Sequence, residues 1–140
     1  MYKKRGQAGI EYVILIGLLL FFFIPLTHYG LQETNNAVRN SQLDSYVNRL
    51  SKSVNAVHSV GPGTIEITTI TVPRGVIQAN LNNTVLGSNE IVLKVEFFGG
   101  VSDIHATVKP FVYGEIPKDP GIYNLKVLSL NDSAVNISIG

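Results

Sequence analysis

The chain has 140 residues, enough for one domain plus an anchor but not for two full cores. Its 11 Lys and Arg stand against 10 Asp and Glu, a net charge of +1, and no basic stripe runs along any later segment, so nucleic-acid binding has little electrostatic support. With no cysteine, disulfides, thiolate catalysis and Cys-based metal sites are excluded, and an extracellular domain has to hold together by core packing alone.

At the N-terminus, Lys3, Lys4 and Arg5 are bunched ahead of an apolar run. From Tyr12 the chain reads YVILIGLLLFFFIPL, with no Asp, Glu, Lys or Arg between Glu11 and Glu33. This is close to the ~20 residues that a helix needs to span a bilayer. The cationic cluster keeps the N-terminus cytoplasmic and places everything after Thr27 outside.

Three accounts compete for this segment. A secretory signal peptide needs small residues at alternate positions before its cut, but cleavage after Gly30 would set His28 there and cleavage after Thr27 would set Pro25 there. An unprocessed signal anchor satisfies the hydropathy alone. The third account explains more residues: Lys4-Arg5-Gly6-Gln7-Ala8-Gly9-Ile10-Glu11-Tyr12 closely resembles the class III signal sequence of archaeal type IV pilin-like proteins. One departure is Gly9, where family members often carry Ser or Ala. The likeness covers about the first 26 residues. It implies cleavage between Gly6 and Gln7 by a membrane prepilin peptidase that recognises Lys4, Arg5, Gly6, Gln7, Glu11 and Tyr12. It also implies a pilus assembly ATPase and a membrane platform protein as partners. Such a cut precedes the apolar helix and leaves it on the mature chain.

Glu11 stands at the edge of that helix, one turn after the new N-terminus. An ionised carboxylate among hydrocarbon costs several kcal/mol unless it is paired or hydrated. In a membrane precursor, lipid surrounds the helix and headgroup water serves Glu11. In a helical homopolymer, the Gln7 α-amine of a neighbouring copy pairs with Glu11 and sets the axial register, the role that the resemblance implies for this residue. Leu18–Ile24 is apolar on every face, and Phe21, Phe22 and Phe23 offer large contact area to lipid or to other helices. Pro25 removes one helical hydrogen bond, so a kink or local melting there stays open.

Residues 31–60 continue as helix, with Leu43, Val47, Leu50, Val54 and Val57 forming one apolar stripe that should pack on the chain's own β-domain. From Gln32 to Gln42 only Val38 is large and apolar. Gly61-Pro62-Gly63 stops the helix. Beyond Thr64 the period becomes two. Ile91, Leu93, Val95 and Phe97 share a face, as do Ile104, Ala106 and Val108, then Tyr123, Leu125 and Val127, then Val135, Ile137 and Ile139. Between Ile65, Ile67 and Ile70, Val72 the phase slips, which predicts a bulge near Thr68-Thr69. Turn signals lie at Pro73-Arg74-Gly75, Asn82-Asn83, Gly87-Ser88-Asn89, Gly99-Gly100, Pro117–Gly121 and Asn131-Asp132-Ser133, the last joining a hairpin. About six short strands with such spacing predict an antiparallel sandwich or small barrel.

Three sequons, at Asn82, Asn131 and Asn136, are candidate N-glycosylation sites, the first two at turns and the third alternating outward. No pattern for catalysis or for a metal appears. His28, His58 and His105 lack ligand spacing, and solvated strand faces account for Glu66, Glu96, Asp103 and Asp119. The expectation is an α+β chain with no enzymatic activity and no cofactor. Residues 1–6 form a cleaved leader, 7–30 a membrane or filament-core helix, 31–63 an amphipathic stalk and turn, and 64–140 a β-rich extracellular head, together a lollipop. Its expected role is that of a pilin, a membrane precursor that becomes an extracellular adhesion filament. The alternative is a monomeric, membrane-anchored binding module, which a concave apolar or aromatic pocket in the head would favour.

Overall fold

The computed structural model describes residues 3–83, 89–97 and 100–140, with side chains described from Gln7 onward. The chain divides into two compact units, Met1–Ala37 and Val38–Gly140. The helix α1 (Lys3–Val60) is a single element of 58 residues. It continues through Pro25, so the backbone does not melt there. Thr27 lies two residues on, and its hydroxyl donates to the Phe23 and Ile24 carbonyls at 3.1 and 2.9 Å.

The helix ends where the glycines predict. Gly61 adopts φ +117° and its N–H reaches the Val57 carbonyl at 3.3 Å, the left-handed stop for which glycine has no steric penalty. Gly63, also at positive φ, donates to the Ser129 carbonyl at 2.8 Å, and Ser129 returns its own N–H to Thr64 at 2.9 Å. The turn is thereby stitched to the β-structure that follows.

Among the described residues, seven strands come next: β1 (Ile65–Val72), β2 (Val76–Asn82), β3 (Asn89–Phe97), β4 (Gly100–Val108), β5 (Phe111–Gly114), β6 (Gly121–Asn131) and β7 (Ala134–Ile139). They form a four-stranded sheet in the order β1-β6-β7-β5 and a three-stranded sheet in the order β2-β3-β4. All pairs are antiparallel except β5–β7, which is parallel, so the arrangement is mixed where alternation alone suggested antiparallel pairing. Gly114 closes that parallel pair at φ +106°, and a Cβ there would overlap the Ile137 carbonyl.

One core joins both sheets to α1. Leu43, Val47, Leu50, Val54 and Val57 are all buried, together with Tyr46, against Ile70 and Val72 of β1, Ile91, Leu93 and Val95 of β3, and Leu125 and Val127 of β6. Each such aliphatic side chain contributes about 1.5–3 kcal/mol relative to exposure. Gln32–Gln42 stays helical and mostly exposed, as its polarity requires.

Three local expectations need correction. No bulge interrupts β1, whose register with β6 is continuous from Ile65↔Leu128 to Val72↔Gly121. Ile65 and Ile67 instead point outward, at 52% and 70% exposure, while Ile70 and Val72 face the core. The apparent phase slip therefore marks a strand with apolar residues on both faces. The register shifts occur elsewhere, around Ile77 of β2 and Leu130 of β6. Asn89, assigned to a turn, opens β3 with its side chain buried, its Nδ2 donating to the Lys109 carbonyl at 3.2 Å. Ile139 is half-exposed, so the β7 alternation fades at its last apolar residue.

Candidate functional site: an exposed apolar helix and three sequons

The most apolar part of the chain is also its most exposed. Within the stretch from Gln7 to Val60, an 18-residue window reaches a mean hydropathy of 2.4 with none of it buried, long and apolar enough to cross a membrane. The large side chains from Ile10 to Leu31 show no dry face: Ile10, Phe21, Phe22 and Phe23 are 64, 74, 65 and 55% exposed. Phe21 and Phe22 meet edge-to-face at 5.9 Å between centroids, a contact that leaves most of both rings open. An exposed apolar helix of this kind calls for hydrocarbon or other helices around it.

Glu11 and Tyr12 both lie on the exposed surface of α1, and Glu11 follows Gln7 by four residues, which puts the two on one face. The backbone of Lys4, Arg5 and Gly6 belongs to the first turn of α1, while their side chains fall outside the described residues. The Gly6–Gln7 bond is therefore helical in this chain. A protease that binds extended backbone has to open that first turn, the part of a helix held by fewest hydrogen bonds.

The three sequons differ in setting. Asn82 is exposed at the end of β2, but its neighbour Asn83 is clamped: Nδ2 donates to the Val112 carbonyl at 2.7 Å and Oδ1 accepts the Val112 N–H at 3.0 Å. Thr84, the hydroxyl residue of that sequon, lies outside the described residues. Asn131, Asp132 and Ser133 are all exposed at the β6–β7 turn, with the Ser133 N–H donating to Asn131 Oδ1 at 2.9 Å. Asn136 is partly buried and sits mid-sheet, paired with Leu128 of β6 on one side and Tyr113 of β5 on the other.

An open cleft of about 480 Å³ lies in the second unit, between Asn80 and Leu81 of β2 and the Glu115–Asp119 segment, with Tyr123 and Ile139 on its wall. Glu115, Lys118 and Asp119 make it charged, and Tyr123 is its one aromatic lining residue. Among the described residues, no three His, Asp or Glu side chains come together.

Sequence reasoning missed the groups that pin this unit's loops. Tyr46 donates its hydroxyl to the Pro117 carbonyl at 2.9 Å in the core, and burial pushes its phenol well above the ordinary tyrosine range. Its position three residues past Leu43 and four before Leu50 already belonged to the helix stripe, so periodicity held the signal. Asn55 Oδ1 accepts the Lys109 N–H at 3.0 Å and Asn89 holds the carbonyl of that same residue. These clamps join residues 54 and 20 positions apart, and no local pattern encodes them. Comparison of the chain with family models, with curated proteins and with solved structures gives no match.

Proposed function

We propose that the chain is the precursor of a type IV pilin-like subunit of the archaeal kind, trimmed between Gly6 and Gln7 and polymerised through α1. The observation that carries this reading is the fully exposed apolar segment of α1, directly preceded by Lys4-Arg5-Gly6-Gln7 and opened by Glu11-Tyr12. A membrane anchor needs only hydrophobicity. The leader, the carboxylate at the helix edge and the absence of any dry face are together what a subunit requires that moves from lipid into a bundle of its own copies.

In the precursor, lipid covers Ile10–Leu31 and Glu11 sits at headgroup depth. Cleavage exposes the α-amine of Gln7, protonated at neutral pH. On transfer to the filament, helix packing replaces lipid, with Phe21, Phe22 and Phe23 in the contact, and Glu11 of one copy neutralises the amine of the next. Val38–Gly140 lies outside the membrane and makes the outer wall of an adhesive filament. The chain binds a prepilin peptidase, an assembly ATPase and a platform protein in turn, and catalyses nothing itself. A monomeric anchored binding module is the rival, and the cleft beside Tyr123 is where it would take a ligand.

Filaments sheared from native cells, separated by size and mapped by peptide mass, test the proposal. The chain is expected as a repeating component of filaments that vanish when its coding sequence is deleted. Recovery solely from the membrane fraction as a monomer would favour the binding module.

A further inference from the structure

The three sequons all fit the Asn-X-Ser/Thr pattern, one with Thr and two with Ser, but the fold treats them very differently. A glycosyltransferase has to draw the Asn carboxamide and the hydroxyl two residues later into its own site. The segment must therefore be exposed, and its backbone must be free to leave the surface.

Asn136 fails that demand. β7 is an interior strand, and Asn136 is paired to Leu128 on one side and to Tyr113 on the other. Its Oδ1 lies 3.1 Å from where a Cβ on Gly114 would stand, so the side chain is hemmed by the β5 end. Lifting it out would break both ladders and expose Val135 and Ile137, which are fully buried. At Asn82 the side chain is open, yet Asn82 pairs with Glu90 and the two bonds from Asn83 to Val112 tether the residue between acceptor and hydroxyl.

Asn131 comes nearest to the demand: it is paired only with Ala134 across the turn, its carbonyl accepts the Ser129 hydroxyl at a long 3.4 Å, and Asp132 and Ser133 lie beyond the ladder. The β6–β7 turn contains just Asp132 and Ser133, and all three sequon residues are exposed. Among the described residues no non-glycine has positive φ, so this tight turn is not of the primed type that best matches strand twist. A register shift around Leu130 accompanies this turn, as bulges do where pairing is about to end. The Ser133 N–H donates to Asn131 Oδ1, so this bond engages the carboxamide oxygen and not Nδ2.

We infer that Asn131 is the acceptor of a saccharide on its Nδ2, and that Asn136 is a silent sequon. The donor class is a sugar carried on a lipid phosphate. The bond from the sugar anomeric carbon to the phosphate oxygen breaks, a bond from that carbon to Nδ2 forms, one amide proton passes to the transferase, and the lipid phosphate leaves. Asn131 requires only that Val38–Gly140 lie outside the membrane, a placement taken from the proposed function and shared by its rival.

The test is site-resolved mass spectrometry of the full-length protein from its native cell surface, alongside Ser133→Ala and Ser138→Ala. These variants disable the sequons of Asn131 and Asn136 without altering either asparagine. A saccharide mass on Asn131, lost in Ser133→Ala and retained in Ser138→Ala, is the expected result. Occupancy of Asn136, or an unmodified Asn131 on surface-exposed protein, overturns the inference. The N-terminal residue read in the same experiment separates it from the filament proposal. A chain starting at Met1 with sugar on Asn131 overturns polymerisation alone, and one starting at Gln7 with bare Asn131 overturns glycosylation alone.

Discussion

Tyr46 links a helix to a loop 71 residues away through one hydroxyl, and its burial has a pH consequence. The folded phenol ionises at higher pH than the unfolded one, whose value is near 10.0. Folded protein thus holds a proton that the unfolded chain releases. Stability is complete below about pH 10 and falls as pH rises beyond it. Denaturant titrations of the full chain in detergent should show this alkaline decline, and Tyr46→Phe should flatten it. At neutral pH the same variant loses about 1–3 kcal/mol because the Pro117 carbonyl is left buried without its donor. Ser53 gives the opposite sign. Ser53 is 3% exposed and its hydroxyl has no hydrogen-bond partner among the described residues, so Ser53→Ala should stabilise by up to about 1 kcal/mol and raise the midpoint rather than lower it.

Elements follow from periodicity wherever one face is dry. The α1 stripe and the β3, β4 and β6 faces were legible because alternating burial leaves its own period in the sequence. β1 was not, since Ile65 and Ile67 are apolar yet exposed, and composition alone cannot tell an outward isoleucine from an inward one. Paired substitutions separate the two: Ile70→Thr should cost several kcal/mol in the same titration and Ile67→Thr less than about 0.5 kcal/mol. A bulge that turned Ile67 inward would make the two costs alike. The parallel β5–β7 pairing was equally illegible, because parallel and antiparallel strands carry the same local pattern and only chain topology distinguishes them. For α1 itself, Leu50→Ala should cost about 2–5 kcal/mol, as it empties a site buried by both the helix and the sheets.

At the scale of the whole molecule, the chain presents an exposed apolar helix segment and, in Val38–Gly140, a β-rich unit with its own core. The apolar helix, long enough to cross a membrane, was readable from hydropathy because its composition is apolar on every face. The clamps of Asn55, Asn83 and Asn89 were not, since side chain-to-backbone bonds across long separations leave no spacing to detect. Polymerisation adds one requirement that anchoring lacks, a partner for Glu11. Glu11→Gln should therefore leave membrane insertion intact, measured by carbonate-resistant sedimentation, while filament yield falls at least tenfold. Equal yields would show that Glu11 sets no register.

The most direct measurement is intact mass with N-terminal sequencing of the protein from its native cell surface. The account predicts a mature chain beginning at Gln7, with the apolar helix attached and a free α-amine for Glu11 of the next copy. A surface chain that still carries Met1–Gly6 would contradict it, because Glu11 would have no amine to meet and the helix would be only an anchor.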